Sequence, residues 1–241
     1  MLKEAADLIK KSKYAIAFTG AGISVESGIP PFRGENGIWN KYEEKLFDIV
    51  YFNSHKKEAW DMLCDGFYEN AVKAKPNVAH FLLAELEKNG NLKSIITQNI
   101  DNLHTKAGNK TVYEVHGNIA NLLCQTDGSK YSIADFDLKS APLCRECGAI
   151  LKPDFVFFGE QLPEYDLNKS IEDCHKCDLL IIIGSTGIVY PAASMPNLAK
   201  ENGAKIIEVN PQESVYSNTI ADIYIKMGAV DFAENIKKFL D

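Results

Sequence analysis

The sequence predicts an α/β fold in which helices cover both faces of a parallel β-sheet. Six short apolar runs, rich in Ile, Val and Phe, recur along the 241 residues, and helical patterns separate most of them. Continuous apolar runs of this length are typical of strands buried on both faces, and such strands occur in parallel sheets. The runs are YAIAF (14–18), LKSIIT (92–97), DFVFF (154–158), LLIIIG (179–184), KIIEVN (205–210) and DIYIK (222–226).

The segment before the first run, residues 1–13, is predicted to be an amphipathic helix. It has no apolar core of the kind that a secretory signal peptide needs, and no run in the chain approaches 18 apolar residues. We therefore expect a cytoplasmic protein without a membrane partner, whose six cysteines are thiols or metal ligands before disulfides. The net charge of −7 argues against a nucleic-acid partner, because phosphate-binding surfaces are basic.

The first strand leads into a glycine turn, TGAGISVESGIPPFRG (19–34). Gly20 and Gly22 allow a tight turn and a close approach of the backbone to a pyrophosphate. Pro30 and Pro31 end the following helix within about two turns, because proline lacks the amide donor. The pattern alone fits phosphate binding and an ordinary strand-to-helix turn about equally well. No acidic residue closes a second strand about twenty residues on, which disfavours a hydride-transfer enzyme.

Two segments depart from the alternation of strands and helices. Residues 35–75 have aromatic and charged residues at helical spacing, and we interpret them as a helical insertion. Residues 120–152 carry cysteines and turn formers, and we interpret them as a zinc-ribbon-like module. Together they are predicted to form a small lobe. A Rossmann-like lobe is predicted to comprise the rest of the chain, namely residues 1–34, 76–119 and 153–241.

Polar residues follow the second apolar run, where parallel sheets bind their ligands. Gln98, Asn99 and Asp101 come directly after this strand, and we expect a binding role, although Asn and Asp also cap helices. His116 follows a further short strand and precedes a glycine. Taken alone it could be a structural histidine, but its position also suits a general base.

The cysteine module has zinc-ligand spacing with one exception. Cys124 and Asp127 form the first pair, and Cys144 and Cys147 form the second pair after sixteen residues. The usual pattern has four cysteines, but three thiolates and a carboxylate can also bind Zn²⁺. The alternatives are a water or a distant residue as the fourth ligand, or a site without metal.

A second Cys-x-x-Cys pair, Cys174 and Cys177, lies at the end of a helical segment before a buried strand. We interpret it as helix packing by small apolar thiols rather than as a redox or metal site. Cys64 is alone in a helical pattern and is predicted to lie in the core.

Six blocks of the sequence, in this order and spacing, resemble the sirtuin family, bacterial or archaeal type, of NAD-dependent protein lysine deacylases. The blocks are GAGISVESGIPPFRG (20–34), TQNIDNLH (97–104), HGN (116–118), FFGEQLP (157–163), GSTGIVYPAA (184–193) and VNPQ (209–212). The resemblance covers essentially the whole chain. The resemblance implies that NAD is consumed, so the short helix after the glycine turn gives way to a loop that covers the nicotinamide ribose.

The resemblance also implies roles for individual residues. His116 is the general base, and Asn99 contributes to catalysis. Phe32 shields the reactive C1′ carbon, and Arg33 contacts the phosphates. The residues implied to bind NAD are Gly20, Ala21, Gly22, Ser24, Phe32, Arg33, Trp39, Gln98, Asn99, Ile100, Asp101, Gly184, Ser185, Thr186, Asn210, Pro211, Gln212 and Ala229.

The substrate implied by the resemblance is an acyl-lysine peptide that binds as an extended strand between two loops. Its contacts are Val156, Phe157, Phe158, Gly159, Glu160, Ile188 and Val189, although some of these must simply belong to the core. Sirtuins that favour acidic acyl groups carry Tyr-x-x-Arg on the helical insertion. Residues 60–77 contain Tyr68 but no arginine. We therefore expect acetyl or longer neutral acyl groups.

The implied reaction starts with attack of the acyl oxygen on C1′ and departure of nicotinamide. His116 then activates the ribose 2′-hydroxyl, and the products are free lysine and O-acyl-ADP-ribose. The resemblance assigns a structural role to the metal of Cys124, Asp127, Cys144 and Cys147. Two other functions stay open at this point. One is a mono-ADP-ribosyltransferase or NAD glycohydrolase on the same scaffold, and the other is an NAD-sensing module without chemistry.

Overall fold

A six-stranded parallel sheet with helices on both faces forms the larger part of the structure, as the sequence predicted. The structure is a computed structural model that describes residues 1–31, 37, 43–64, 68 and 73–240. The strands are β1 (Ala15–Thr19), β2 (Ser94–Thr97), β3 (Val112–Glu114), β4 (Gly117–Leu123), β5 (Lys130–Ser132), β6 (Lys152–Phe155), β7 (Leu179–Ile183), β8 (Lys205–Val209) and β9 (Ile223–Ile225). The α-helices are α1 (Leu2–Lys11), α2 (Ile49–Ser54), α3 (Lys56–Leu63), α4 (Val78–Lys88), α5 (Leu103–Ala107), α6 (Glu164–Lys176), α7 (Met195–Glu201) and α8 (Ala229–Leu240).

The order of strands in the large sheet is β3-β2-β1-β7-β8-β9, and every neighbouring pair is parallel. After β1 the chain builds the sheet in one direction through β2 and β3. It then returns to the other side of β1 with β7. This reversal is a topological switch point, where open α/β sheets bind ligands at the carboxyl ends of the strands.

Two apolar cores enclose the large sheet. Helices α1, α4 and α8 supply the core on one face, and the end of α6 together with α7 supplies the core on the other face. Strands β1 and β7 are buried at every residue, which explains why their sequences are continuously apolar. Two helices, α4 and α7, are followed by an Asn-Gly pair, and Gly90 and Gly203 in these pairs have left-handed φ values of 82° and 94°.

One apolar run does not lie where the other five do. The run DFVFF was grouped with the strands of the parallel sheet, but only its first residues are in a strand, β6. That strand pairs antiparallel with β4 in a separate three-stranded sheet of order β5-β4-β6. The sixth strand of the parallel sheet is instead β3, which forms part of the short run TVYEV.

A third core joins the helical insertion to the small sheet. Trp60 of α3 is fully buried there, and its indole N–H donates to the Leu151 carbonyl at 2.7 Å. Cys124 and Cys144 contribute to the same core. Residues of the helical insertion and of the cysteine module therefore share one core. Among the described residues, none of the helices is both long and apolar enough to cross a membrane.

Candidate active site

The glycine turn after β1 contacts the loop after β7 at the switch point. The Gly22 amide donates to the Gly184 carbonyl at 2.9 Å, and the Gly20 amide donates to the Ile183 carbonyl at 3.1 Å. A Cβ atom on Gly22 would lie 2.6 Å from the Gly184 Cα atom. Two strand ends approach this closely only because neither loop carries a side chain at the contact.

The helix after the glycine turn is short, as the sequence predicted. It is a 3₁₀ helix, Ala21–Ser27, and it ends at Gly28, whose φ of 85° reverses the chain. Three residues of the following loop that were predicted to bind NAD lie outside the described residues, namely Phe32, Arg33 and Trp39.

A buried hydrogen-bond network lies behind the glycine turn. The Ser24 hydroxyl donates to Asp101 Oδ2 at 2.7 Å, and Asn99 Nδ2 donates to the Ser24 hydroxyl and to the Gly20 carbonyl, both at 3.2 Å. Asp101 Oδ1 accepts from the Leu103 amide at 2.9 Å, so this carboxylate also caps α5. Burial raises the pKa of Asp101, while these hydrogen bonds oppose the rise. The network fixes the amide and the carboxylate at the end of β2.

His116 lies beside this network, and its tautomer follows from its contact. Its Nδ1 atom lies 2.9 Å from the Gln98 carbonyl oxygen, which can only accept a hydrogen bond. Nδ1 therefore carries the hydrogen, and Nε2 carries a free lone pair in the neutral ring. Burial lowers the pKa of His116 below 6.5, against the effect of the Gln98 contact. The ring is neutral at physiological pH and can accept a proton.

A cavity of about 620 Å³ joins these features, and strand ends from both sheets line it. The predicted cofactor and catalytic residues in its wall are Gly20, Ala21, Gly22, Gln98, Asn99, Ile100, His116, Gly184, Ser185, Thr186, Asn210, Pro211, Gln212 and Ala229. The predicted substrate residues in its wall are Val156, Phe157, Phe158, Gly159, Glu160 and Val189. Ser24 and Asp101 are buried behind the wall, and Ile188 is outside it with a side chain that is 45% exposed.

Part of the cavity wall consists of residues that the sequence did not predict. Phe47 from the helical insertion and Phe155 at the end of β6 line it, with ring centroids 6.1 Å apart. Glu26 and Glu213 are also in the wall. No local pattern marked Phe47, because its place beside the cavity depends on how the insertion packs against the small sheet.

A buried histidine pair, which the sequence did not predict either, lies behind the network. The rings of His80 and His104 have centroids 5.0 Å apart, and both side chains are almost fully buried. His104 Nε2 contacts the Thr19 hydroxyl at 2.9 Å, and His80 Nε2 lies 3.5 Å from the Ser24 hydroxyl. Burial lowers the pKa of His80 to about 4 and that of His104 well below 6.5. Both rings are therefore neutral and support the network from behind.

The four predicted metal ligands come together in the small lobe. One ligand atom from each of Cys124, Asp127, Cys144 and Cys147 lies within 4.8 Å of the others. The Cys144 thiol is 3.2 Å from Asp127 Oδ2, while Asp127 Oδ1 accepts from the Ser129 amide at 2.9 Å. One carboxylate oxygen is thus held by the backbone, and the other points into the cluster. This donor set fits a tetrahedral Zn²⁺ ion.

The second cysteine pair does not form a comparable site. Cys174 and Cys177 are buried in the core beneath the large sheet. Burial raises the pKa of the Cys177 thiol to about 12 and raises that of Cys174 as well. The packing interpretation from the sequence is therefore the better description. Cys64 is half-buried and packs against the core of the small lobe.

Comparisons with known proteins agree with this geometry. A family profile described as "Sir2 family" matches residues 20–191. An NAD-dependent protein deacetylase of Thermotoga maritima is 41% identical over 239 residues, which is 98% of this chain and 96% of the relative. An NAD-dependent protein deacylase of Aeropyrum pernix is 43% identical over 236 residues, with the same shares of the two chains.

Solved structures are similar over the full length. A complex of Sir2 with a p53 peptide and NAD+ has a TM-score of 0.90 at 38% identity, and it covers 99% of this chain and 98% of that one. A structure of Sir2 bound to an acetylated peptide has a TM-score of 0.89 at 36% identity and covers both chains completely.

Proposed function

The chain belongs to the Sir2 family and is an NAD-dependent protein deacylase, and we propose that His116 is its general base and Asn99 its second catalytic residue. The observation that supports this assignment is the His116 contact with the Gln98 carbonyl at 2.9 Å. It fixes the tautomer whose free nitrogen can take a proton, within a cavity that also contains Asn99.

His116 performs the proton transfer in this proposal. Its Nε2 accepts the proton of a ribose hydroxyl, which frees the oxygen to attack the acyl carbon. The Gln98 carbonyl then stabilises the imidazolium, because Nδ1–H donates to it throughout. Asn99 lines the ribose and nicotinamide side of the cavity, and Asp101 supports it from behind. Hydrogen bonds to Ser24 hold both side chains in these orientations.

The loops at the switch point bind the rest of NAD. Gly20, Ala21 and Gly22 line the cavity at the start of the 3₁₀ helix. The Gly20 and Gly22 amides donate to the end of β7 and the loop after it, and the missing side chains of the two glycines let a pyrophosphate approach the backbone closely. Gly184, Ser185 and Thr186 form the facing wall, and Asn210, Pro211, Gln212 and Ala229 form the adenosine end. Asn210 Nδ2 donates to the Ser185 carbonyl at 2.9 Å, which ties the two loops together. We further propose that Phe32, Arg33 and Trp39 complete the site.

The peptide substrate binds between two loops that leave opposite sides of the cavity. Gly159 belongs to the loop after β6, and Val189 belongs to the loop after β7. Phe158 and Ile188 stand on these two loops, with 47% and 45% of their surfaces exposed. An extended peptide between the loops would form hydrogen bonds with their backbone groups. The site would therefore recognise the peptide backbone more than its side chains. Solved Sir2 structures contain acetylated and propionylated peptides.

The acyl group enters an apolar part of the cavity. Phe155 and Phe157 stack there with ring centroids 4.8 Å apart. Tyr68, which would partner an acidic acyl group, is instead buried against Trp60 with centroids 5.4 Å apart. We therefore expect turnover of an acetyl-lysine peptide to exceed that of the matched succinyl-lysine peptide by at least roughly tenfold, since an unpaired carboxylate is poorly tolerated in an apolar site. Faster turnover of the succinyl peptide would contradict this expectation.

One experiment tests the reaction and the role of His116. The protein is incubated with NAD and an acetyl-lysine peptide, and the products are identified by mass spectrometry. We expect free lysine peptide, nicotinamide and O-acetyl-ADP-ribose, and a loss of roughly a hundredfold or more in His116→Ala, the range of general base catalysis. Exposed His175 provides the control variant, His175→Ala, which should keep full activity.

Other outcomes identify the other functions. Labelled protein would indicate a mono-ADP-ribosyltransferase, and free ADP-ribose would indicate an NAD glycohydrolase. NAD binding without release of nicotinamide would indicate a sensing module. Full activity of His116→Ala would show that another group is the base.

We also propose that Cys124, Asp127, Cys144 and Cys147 hold a structural Zn²⁺ ion. It would stabilise the small lobe and supply no chemistry to the cavity, because all four positions are taken by protein ligands. Substitution with Co²⁺ tests the donor set by absorption. The wild type should show a spectrum of three thiolates and one oxygen, and Asp127→Cys should shift it to that of four thiolates. An unchanged spectrum in Asp127→Cys would show that Asp127 is not a ligand.

The division of the chain follows from these assignments as a proposal. Residues 1–34, 76–119 and 153–241 form the NAD-binding lobe, and residues 35–75 with 120–152 form the small lobe. A cytoplasmic location is likewise proposed, and it is supported by the six cysteines, which are all free thiols.

A further inference from the structure

Lys152, at the start of β6, is buried although lysine is usually exposed. Only 3% of its surface is accessible. Its ammonium donates to the Pro153 carbonyl at 3.0 Å, to the Phe155 carbonyl at 2.7 Å and to Glu160 Oε2 at 2.8 Å. All three donors of the ammonium group are therefore used. A charge this well buried is retained only where its partners satisfy it.

All of these contacts lie on one segment, residues 153–160. Glu160 Oε2 accepts a second hydrogen bond, from the Phe157 amide at 2.8 Å. The Lys152 ammonium also lies 4.4 Å from the centroid of the Phe157 ring, a cation–π contact. The ammonium and the carboxylate thus bind both the backbone and the ring of Phe157, which lines the cavity.

The other side of the same segment is tied by backbone hydrogen bonds. The Val156 amide donates to the His116 carbonyl at 2.8 Å, and the Phe158 amide donates to the Phe47 carbonyl at 2.7 Å. Lys152 is the element that holds the segment from inside. Without it, the Glu160 carboxylate would lose its cation, and its side chain, 25% exposed, would be free to turn into the apolar part of the cavity.

We infer that Lys152 is a positioning residue for the acyl-lysine, acting through Glu160 and the ring of Phe157. This inference rests on the proposed function, because it concerns the same cavity. Lys152 itself does not line the cavity and touches no reacting group. It fixes the position of the apolar cavity wall relative to His116, so its loss should weaken binding of the peptide substrate and leave binding of NAD unchanged.

The test compares Lys152→Met with Lys152→Arg and with a matched control. Methionine keeps the length of the side chain but cannot donate, whereas arginine keeps the charge and the donors. Lys130→Met is the control, because Lys130 belongs to the same small sheet and pairs with Asp154 at 2.9 Å, but its side chain is 65% exposed. The KM values for peptide and NAD are measured separately with acetyl, propionyl and butyryl peptides.

We expect Lys152→Met to raise the KM for the acetyl peptide by about tenfold and to change the KM for NAD by less than about twofold. The preference among the three acyl lengths should weaken, because the wall is no longer fixed. Lys152→Arg should restore the peptide KM to within about threefold of the wild type, and Lys130→Met should change neither KM. An equal rise in both KM values, or a fall in thermal stability with an unchanged peptide KM, would overturn the inference.

Hydrogen exchange separates this inference from the proposed function. The Phe157 amide should lose protection in Lys152→Met and keep it in Lys130→Met, and this readout needs no turnover. Absence of O-acetyl-ADP-ribose with the wild-type protein would refute the proposed function alone. Unchanged protection of Phe157 would refute the role of Lys152. If Lys152→Met does not fold, Glu160→Gln is measured in the same way and should raise the peptide KM by about threefold, while an unchanged KM there would refute the role.

Discussion

The side chains of the site owe their properties to their individual partners. His116 is neutral because burial lowers its pKa, and its free nitrogen is selected by the Gln98 carbonyl. Two residues earlier, Glu114 is half-buried, and its Oε1 accepts from Asn118 Nδ2 at 2.6 Å. Burial raises the pKa of Glu114 to about 7. The pKa of Glu114 is therefore raised and that of His116 lowered, so the two groups depart from their ordinary values in opposite directions.

The first prediction is a pH dependence of kcat/KM that is controlled by His116. A general base works only when it is unprotonated, and the pKa of His116 is lowered from 6.5. Activity should therefore be constant above about pH 7 and should fall tenfold per pH unit once the pH is below the lowered pKa. The measurement is kcat/KM for the peptide between pH 5 and 8 at fixed ionic strength.

Glu114→Gln is the variant that distinguishes the two titrating groups. Glutamine keeps an oxygen that can accept from Asn118 but does not titrate, so the fall in activity at low pH should remain. If the fall instead has its midpoint near pH 7 in the wild type and disappears in Glu114→Gln, the titrating group is Glu114 and the assignment of the base is wrong.

At the scale of elements, the site depends on the contact between the two glycine loops. Gly184 has a φ of 66°, and a Cβ atom there would lie 2.4 Å from the Ile23 backbone nitrogen. Gly90, at the end of α4, has a similar φ of 82°, but a Cβ atom there would have no neighbour within 4 Å. The two glycines therefore share the left-handed backbone and differ only in the space around them.

The second prediction compares Gly184→Ala with Gly90→Ala. The left-handed conformation alone should make Gly90→Ala less stable by about 1–2 kcal/mol. Gly184→Ala adds a clash with backbone that cannot move without separating the strand ends, so we expect a loss of at least about 3 kcal/mol together with weaker NAD binding. Urea unfolding and NAD titration measure the two effects. Equal losses in the two variants would show that the contact between the loops is not tight.

The elements that the sequence predicted correctly are those with a strong local pattern. Strands β1, β2, β7 and β8 were found because strands buried on both faces carry a continuous apolar signal. The run DFVFF was grouped with them because its local pattern is the same, yet it pairs antiparallel in the small sheet. The partner of a strand depends on the rest of the chain, so it cannot be predicted from the pattern of that strand alone.

At the scale of the whole molecule, the cluster of Cys124, Asp127, Cys144 and Cys147 and the cavity share one core. Cys124 and Cys144 pack in the same cluster as Phe47 and Phe157, and the latter two line the cavity. The large sheet has its own cores on its two faces. A change at the cysteine cluster should therefore perturb the substrate side of the cavity more than the NAD-binding sheet.

The third prediction concerns removal of the metal by a chelator. We expect the melting temperature of the small lobe to fall by roughly 5 °C or more, since 1 kcal/mol shifts a chain of this size by about 2–4 °C. Amides of β4 and β5 should exchange faster, while those of β7 and β8 should keep their protection. Hydrogen exchange by mass spectrometry, with metal content measured in parallel, provides the test.

Cys174→Ala is the control for this experiment, because Cys174 is buried in a core of the large sheet and is not part of the cluster. This variant should keep one equivalent of zinc and the same response to the chelator. Equal loosening of both sheets on chelation would contradict the separation of the cores, and absence of bound zinc in the purified protein would contradict the metal site.

The sequence by itself determined the α/β class, the glycine turn, the polar end of β2, the place of His116 after a strand and the spacing of Cys124, Asp127, Cys144 and Cys147. Each of these has a local signature, such as buried-strand composition, backbone-permissive glycines or ligand spacing. Only the tertiary structure decided that Ser24 and Asp101 lie behind the cavity wall, that Phe47 lines it, and that His80, His104 and Lys152 are buried beneath it. These properties arise from contacts between residues far apart in the chain, and burial of a polar group depends on what packs over it. No pattern within a single segment can contain that information.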